Sequence, residues 1–200
     1  MDSISSREVN AELRSLVWPE LCERGFIERT QRTAWRDHPH SVAVVNFQSF
    51  NSYLAQMLDA TTFSFAVNLG VRARASSAHR EEIKVKNGKL RPGEHQCNVR
   101  LVLQRSLDQP ELARRDIWYV RPNGSNLTEA VEDARSVLMT IGMAWLDEFS
   151  NPERMLQFAE NEPDGWGPGK KLQVGTFGLG NMGSPARLRL IDDLRRTVPQ

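Results

Sequence analysis

The stretch TTFSFAVNLGV, residues 61–71, decides the fold, because large apolar residues alternate along it with small or polar ones. Successive side chains of a β-strand point to opposite faces, so this alternation predicts a strand with an apolar and a polar face. The apolar face comprises Phe63, Phe65, Val67, Leu69 and Val71. Residues 97–104 alternate similarly, and residues 41–48, SVAVVNFQ, are rich in β-branched residues. These segments predict three strands of one sheet.

Turn signals mark further strands on both sides of this segment. We expect residues 26–48 to form a β-hairpin that turns at residues 37–40, DHPH. The sequence KNGK, residues 86–89, predicts a tight turn, because Asn-Gly tolerates the positive φ angles that two-residue hairpin turns need. Residues 116–120, DIWYV, predict one more strand, which the turn-forming residues RPNG end.

A helix is predicted at the start of the chain. Apolar residues recur at spacings of three and four along residues 6–24, which places them on one helix face. Ser5 or Ser6 can cap the first turn. Pro19 should bend or split the helix, and Gly25 is well placed to end it.

The helical pattern returns in the last third of the chain. Residues 126–149 carry an apolar stripe at helical spacing, and Asn126 with Glu129 predicts a capping box at its start. Shorter helices are predicted at residues 152–160 and from Ser184 onward.

This element order predicts an α+β fold with an N-terminal helix, an antiparallel sheet of about 4–6 strands, and C-terminal helices packed on one sheet face. We expect residues 1–125 to form the helix and sheet core and residues 126–200 to form a helical part of the same domain. Loops rich in Gly and Pro are expected at residues 161–169 and 175–185.

Composition excludes several functional classes. The chain has 200 residues with 26 Lys and Arg against 25 Asp and Glu, a net charge of +1, which excludes a generally basic nucleic-acid binder. No apolar run approaches the roughly 18 residues of a membrane helix. The first residues, MDSISSREVN, lack the basic and apolar regions of a signal peptide. We therefore expect a cytoplasmic protein with no membrane partner, in which Cys22 and Cys97 are buried free thiols.

The second face of the predicted sheet is the candidate binding site, because it gathers amide, hydroxyl and guanidinium groups beside small residues. The candidate ligand- or partner-binding residues are Asn46, Gln48, Ser64, Asn68, Asn98 and Arg100. The alternative interpretation is a solvated face, or internal amide networks that fix the strand register.

Other sequence features suggest different chemistry, but each lacks a necessary part. The glycines Gly178, Gly180 and Gly183 superficially resemble the dinucleotide loop of the 3-hydroxyacid dehydrogenase family, but the acidic residue expected roughly 20 positions on is missing. A nucleotide- or phosphate-binding protein, or an enzyme, that uses the Gly-rich loop of residues 175–183 remains an alternative. No His or Cys spacing points to a metal. We accordingly predict no cofactor, no metal and no catalytic residue, and the chain is expected not to be an enzyme.

Short motifs in a fixed order carry a family resemblance. They are GF (25–26), VVNFQ (44–48), FAVNLGV (65–71), C-x-x-R (97–100) and IWYV (117–120). Together they resemble a bacterial family catalogued as domain of unknown function 4304, over about residues 8–122. The resemblance implies a leading helix followed by strands and implies no known activity. Residues 72–96 and the Gly-rich tail depart from the compact pattern of the family, so no site can be transferred there.

These observations favour a non-enzymatic module that binds another protein. The polar sheet face and residues 72–121, which are locally basic, would form its binding surface. By analogy alone, small bacterial α+β proteins of this kind act as immunity- or defence-like partners. Single-stranded nucleic acid is the remaining alternative, because Trp118 and Tyr119 lie in the same basic segment.

Overall fold

The computed structural model describes residues 4–77, 80–107, 114–161, 171–172, 175–178 and 184–198. Within these residues the helices are α1 Ser6–Leu16, α2 Trp18–Glu23, α3 Ser52–Met57, α4 Leu127–Val137, α5 Met143–Ser150, α6 Pro152–Asn161 and α7 Ser184–Arg195. The strands are β1 Glu28–Arg29, β2 Thr33–Asp37, β3 Ser41–Ser49, β4 Phe65–Ala73, β5 Lys84–Lys86, β6 Lys89–Arg91, β7 Val99–Leu103, β8 Lys171–Leu172 and β9 Gly175–Gly178.

The strands form one large antiparallel sheet and a separate hairpin. The order in the sheet is β1-β2-β3-β4-β7-β9-β8, and β5 pairs only with β6. Five strands, β1 to β4 and β7, make up the body of the sheet, and the short β9 and β8 extend it. With helices before and after this sheet, the predicted α+β class and antiparallel pairing are confirmed.

The core lies between one sheet face and the helices α1, α2, α4 and α5. The alternation in β4 places Phe65, Val67, Leu69 and Val71 fully buried on this face, as predicted. The strand begins at Phe65 rather than at residue 61, because residues 61–64 form a turn in which the Ser64 N–H donates to the Thr61 carbonyl at 3.1 Å.

The N-terminal helix is divided as its proline predicts. Ser5 and Glu8 form a reciprocal capping box at the start of α1. The helix stops at Leu16, and α2 restarts at Trp18 with Pro19 in its first turn, where the missing N–H costs nothing. Gly25 then ends this helical segment with a φ of +88°.

The long C-terminal helix is continuous and starts where predicted, but without the predicted capping box. A π-helical turn, Leu138–Gly142, joins α4 to α5. Asn126 is the N-cap residue of α4, as predicted, but its side chain is engaged elsewhere: its Oδ1 accepts the Arg121 N–H at 2.8 Å and its Nδ2 donates to the Tyr119 carbonyl at 2.8 Å. Its side chain therefore holds the preceding loop and makes no capping hydrogen bond.

Two strand predictions also need correction. Residues 26–48 form three strands rather than one hairpin, because the Thr30 N–H donates to the Thr33 carbonyl at 2.7 Å and makes a second turn. Residues 116–120 make a single bridge between Phe65 and Trp118 instead of a strand. The bridge stops there because the Val120 N–H donates to the Ser64 hydroxyl at 3.0 Å.

The two cysteines occupy different environments. Cys97 is buried, as predicted, and burial raises the pKa of its thiol. The prediction of a second buried thiol is wrong, because Cys22 is exposed on α2. The Gly- and Pro-rich loop at residues 161–169 and most of the loop at residues 175–185 lie outside the described residues.

Candidate functional site

The second sheet face is closed at one end by residues 74–77 and 80–98, which we call the covering segment. Its 3-10 turn, Glu94–Gln96, crosses directly over Gly70. A Cβ atom at Gly70 would lie 2.6 Å from the Cys97 sulfur, so only glycine fits beneath this turn. Arg72 fixes the segment from below by donating to the carbonyls of Gln96 and Ser76 at 3.1 and 3.0 Å.

The other end of this face is closed by the short helix α3. Ala55 on α3 packs against Ala66 of β4 in a small apolar cluster that also contains Phe50 and Ile117. Asn51 begins the helix, and its Oδ1 accepts the Leu54 N–H at 2.8 Å. The helix is therefore fixed both to the sheet and at its own first turn.

Between these two covers lies a strip of three amide side chains, Asn46, Gln48 and Asn68, which we call the open strip because Gln48 is exposed and Asn46 is half-buried. Asn46 and Asn68 are directly opposite each other on β3 and β4. The Asn68 amide donates to Gln48 Oε1 at 2.7 Å, and the Asn46 amide donates to Thr33 Oγ1 at 2.8 Å. Asn68 is buried and Gln48 is exposed, so this amide network reaches the surface at Gln48. The structure thus brings together three of the six predicted site residues.

Arg100 borders this open strip but is already engaged in an ion pair. It stands opposite Gly70 on β7, and its Nε and Nη2 atoms donate to Glu94 Oε2 at 2.8 and 2.6 Å. Because Glu94 belongs to the covering segment, this ion pair ties that segment to the sheet. A partner that needed the Arg100 charge would have to compete with Glu94.

The remaining two predicted site residues are buried, each 1% exposed, and lie away from the open strip. The Ser64 hydroxyl accepts the Val120 N–H. Asn98 accepts the Ala73 N–H at 2.8 Å and donates to the Ser76 hydroxyl at 3.1 Å. Both side chains satisfy backbone groups, which is the internal-network alternative for this face.

Sequence reasoning missed the most conspicuous surface next to the open strip. Among the described residues six large apolar side chains are exposed, and three of them lie on α3. Tyr53 is 67% exposed, Leu54 39% and Met57 68%, and together they form what we call the α3 apolar face. The spacing of 53, 54 and 57 predicts one helix face, but the sequence does not reveal that Ala55, rather than these larger residues, packs on the sheet.

Away from the open strip, a cavity of about 480 Å³ that is lined mostly by polar residues lies between the β2–β3 turn and the start of α6. Its lining includes His38, Asp147 and Ser150. Burial and the nearby Arg36 guanidinium lower the pKa of His38, and Asp147 pairs with Arg36 at 2.5 Å. Within the described residues, no group of three or more His, Cys, Asp or Glu side chains is arranged to hold a metal ion.

Two alternatives remain from the sequence, the Gly-rich loop and single-stranded nucleic acid. The structure describes only part of the Gly-rich loop, but it describes both aromatic residues of the nucleic-acid alternative. Of the three loop glycines, Gly178 ends β9, whereas Gly180 and Gly183 lie outside the described residues. Trp118 is fully buried and donates to Asp133 at 2.8 Å. Tyr119 packs beside the cluster under α3. Neither aromatic ring is thus a free stacking platform for a nucleic-acid base.

Comparison with known proteins gives one match. A family model described as domain of unknown function (DUF4304) matches residues 17–148, which include the sheet from β1 to β7, α3, α4 and most of α5. No curated protein and no solved structure matches. In the part of the chain that the structure describes, every helix is too short or too polar to cross a lipid bilayer.

Proposed function

The chain belongs to the DUF4304 family, whose description assigns no activity, and from its geometry we propose that it is a protein-binding module. The observation that carries this proposal is the α3 apolar face, where Tyr53, Leu54 and Met57 are exposed beside the open strip. Aromatic residues and Met are enriched in protein interfaces, and clustered exposed apolar residues commonly mark such sites.

The way α3 is held in place favours a binding role for its exposed apolar side chains. The helix is held by its capping bond from Asn51 and by the contact of Ala55 with the sheet. A partner would therefore meet a preorganised surface and would not have to order it. Burial of a side chain of this size contributes about 1.5–3 kcal/mol, so Tyr53 and Met57 are the expected anchors.

The open strip would supply specificity rather than most of the affinity. Gln48 is exposed at its edge, and Asn46 is half-buried beside Thr33. Amide groups held by neighbouring side chains can hydrogen-bond a partner in only a few orientations. Because Arg100 is already paired with Glu94, we expect its contribution to binding to be smaller than that of α3.

The test compares matched surface variants in partner capture. The tagged wild-type chain, the double variant Tyr53→Ser with Met57→Ser, and the control variant Leu188→Ser would each be incubated with lysate of the source organism. Leu188 is 62% exposed and lies on α7, so its replacement removes a similar apolar surface elsewhere. We expect one stoichiometric protein to be retained by the wild type and by Leu188→Ser, and to be lost from the double variant.

Two further measurements make the result decisive. A benzophenone amino acid at position 53 should crosslink to the same protein on irradiation, whereas one at position 188 should not. Equal retention by all three chains would contradict the proposal. So would sedimentation of the wild type as a dimer that the double variant breaks, because α3 would then join two copies of this chain.

A further inference from the structure

A cleft of about 550 Å³ lies at the free edge of the sheet, away from α3 and the open strip. Residues of α1, of β1 with its following turn, and of β5 line it. The lining residues that matter here are Arg14, Ile27, Arg29 and Lys86. We call this site the β1 cleft.

The β1 cleft is positively charged because its cations are not neutralised. Among the described residues, Arg14, Arg29 and Lys86 have no acidic partner, and Arg29 instead lies over the Trp18 ring at 5.8 Å. The carboxylate in the lining, Glu28, is already bound by Arg91 at 2.6 Å and by Lys89 at 3.4 Å. An anionic ligand would therefore be attracted to this site.

The cleft also contains the unpaired edge of a β-strand. β1 is the outermost strand of the sheet at this end. Hydrogen-bonded and non-hydrogen-bonded pairs alternate in antiparallel strands. Because the Thr30 N–H donates to the Thr33 carbonyl, the pair of Arg29 with Ala34 is a non-hydrogen-bonded one. The Arg29 N–H and carbonyl therefore point away from β2, toward the cleft.

An exposed apolar side chain completes the site. Ile27, immediately before β1, is 77% exposed and lines the cleft. It lies two residues from Arg29, so both side chains project from the same side of an extended backbone. A peptide that pairs with this edge would meet a cation and an apolar group on that side.

We propose that the β1 cleft binds an extended acidic segment of a partner protein, which adds to the edge of β1. Acidic side chains of the segment pair with Arg14, Arg29 and Lys86, and an apolar side chain packs on Ile27. Main-chain hydrogen bonds to Arg29 set its register, as in other cases of strand addition. This surface is separate from α3, so the inference stands whether or not the α3 apolar face binds a partner.

The same cations could attract nucleic-acid phosphates, but two features favour a peptide. Trp18 is only 3% exposed, and Arg29 lies over its ring, so it offers no stacking face for a base. The unpaired N–H and carbonyl of Arg29 match the donors and acceptors of an extended peptide. A sugar-phosphate backbone has no alternating N–H donors and carbonyl acceptors that could pair with these two groups.

The test is a fluorescence anisotropy titration of the full chain with the labelled peptide Glu-Thr-Glu-Thr-Val-Thr, whose two glutamates and valine share one face when the peptide is extended. We expect saturable binding that weakens at least tenfold in the double variant Arg14→Glu with Lys86→Glu. The control variant Arg189→Glu, which changes an exposed cation on α7, should bind as the wild type does. The same peptide with all of its internal amides N-methylated should bind at least tenfold more weakly, because neither of its edges can then pair with a strand.

Several outcomes would overturn this inference. Equal binding of the methylated peptide would show charge attraction without strand addition. Tighter binding of oligothymidylate than of the peptide, lost in the Arg14→Glu, Lys86→Glu variant, would reassign the cleft to nucleic acid. If neither the wild type nor any of the variants bound the peptide, the proposed site would be ruled out. The Leu188→Ser chain serves as a folded reference and should bind the peptide normally.

Discussion

Gly70 allows the covering segment to cross directly over the second sheet face. A Cβ atom there would lie 2.6 Å from the sulfur and 2.7 Å from the Cβ of Cys97, and 3.2 Å from the Glu94 carbonyl oxygen. Overpacking of this kind typically costs about 1–3 kcal/mol. We therefore expect Gly70→Ala to lower the free energy of unfolding by about 2 kcal/mol, as measured by urea denaturation.

A double-mutant cycle separates this contact from a general effect of the substitution. Cys97→Gly removes the side chain that the new methyl group would meet. If the contact is responsible, the cost of Gly70→Ala should fall by more than half in the Cys97→Gly background. Additive costs would indicate that the covering segment does not press on Gly70 and that this end of the face is more open than its geometry implies.

At this scale the sequence predicted which residues share a face but not which polar groups stay available. Alternation placed Asn46 and Asn68 on one sheet face, because side-chain direction in a strand follows from position, and the structure pairs them directly opposite each other. It could not predict that Asn98 accepts the Ala73 N–H, since that bond depends on where the strand starts. Nor does it predict that Arg100 finds its carboxylate partner only six residues away, on Glu94.

The β5–β6 hairpin is the element whose attachment depends most on charge. Arg91 is buried and donates to Glu28 at 2.9 Å and to Asp37 at 3.0 Å, which joins the hairpin to β1 and β2. Burial raises the pKa of Asp37, but hydrogen bonds from Arg91 and Arg74 outweigh that effect and hold it below its ordinary value. The hydrogen bond from Arg91 likewise lowers the pKa of Glu28.

These depressed pKa values predict a loss of stability in acid. A carboxyl group with a lowered folded-state pKa stabilises the fold fully above its unfolded value, roughly pH 4, and this contribution disappears as the pH falls through the folded value. We expect the free energy of unfolding to decrease below about pH 4 and the decrease to be smaller in Asp37→Asn. Asp116→Asn, which alters an ion pair away from the hairpin, is the matched control.

Hydrogen exchange can locate the acid effect within the molecule. As the pH is lowered, the amides of residues 84–91 should lose their protection, measured relative to the intrinsic exchange rate at each pH, before those of β3 and β4 do. The reason is that the hairpin loses its charged attachment first. Simultaneous loss of protection in both regions would place the titrating groups elsewhere.

Elements with strong local signals were predictable, and those decided by tertiary contacts were not. Asn87 and Gly88 adopt φ angles of +51° and +72°, as an Asn-Gly turn requires. The break before Pro19 is also a local effect. Residues 116–120 have a strand-like composition, but the Trp118 ring is held in the core by Asp133, a contact that no local pattern encodes.

At the scale of the whole molecule, one sheet presents surfaces of two different chemistries. The helices pack on one face, and the covering segment and α3 divide the other. Strand order could be inferred from sequence only for the central strands, because they follow one another in the chain. The position of β1 at the free edge, close to Lys86, arises from the extra turn at Thr30 and the fold of the hairpin.

The two proposed surfaces should respond differently to salt. The distance over which exposed charges act on each other, the Debye length, is about 10 Å at 0.1 M salt and about 3 Å at 1 M. Attraction between charges therefore weakens in high salt, whereas apolar burial is not weakened by screening. The acidic peptide should therefore lose at least tenfold in affinity for the β1 cleft across this range. Capture of a partner through Tyr53 and Met57 should be unchanged or slightly stronger.

Anisotropy and capture at both salt concentrations check this prediction in the same preparation. The Arg14→Glu, Lys86→Glu chain should show no further loss of peptide binding in high salt, because the charges that salt screens have already been reversed. If capture through α3 falls as steeply as peptide binding does, a single charged interface would explain both observations. The partner would then have to contact the β1 cleft, and α3 would be an apolar border of that interface instead of a separate binding surface.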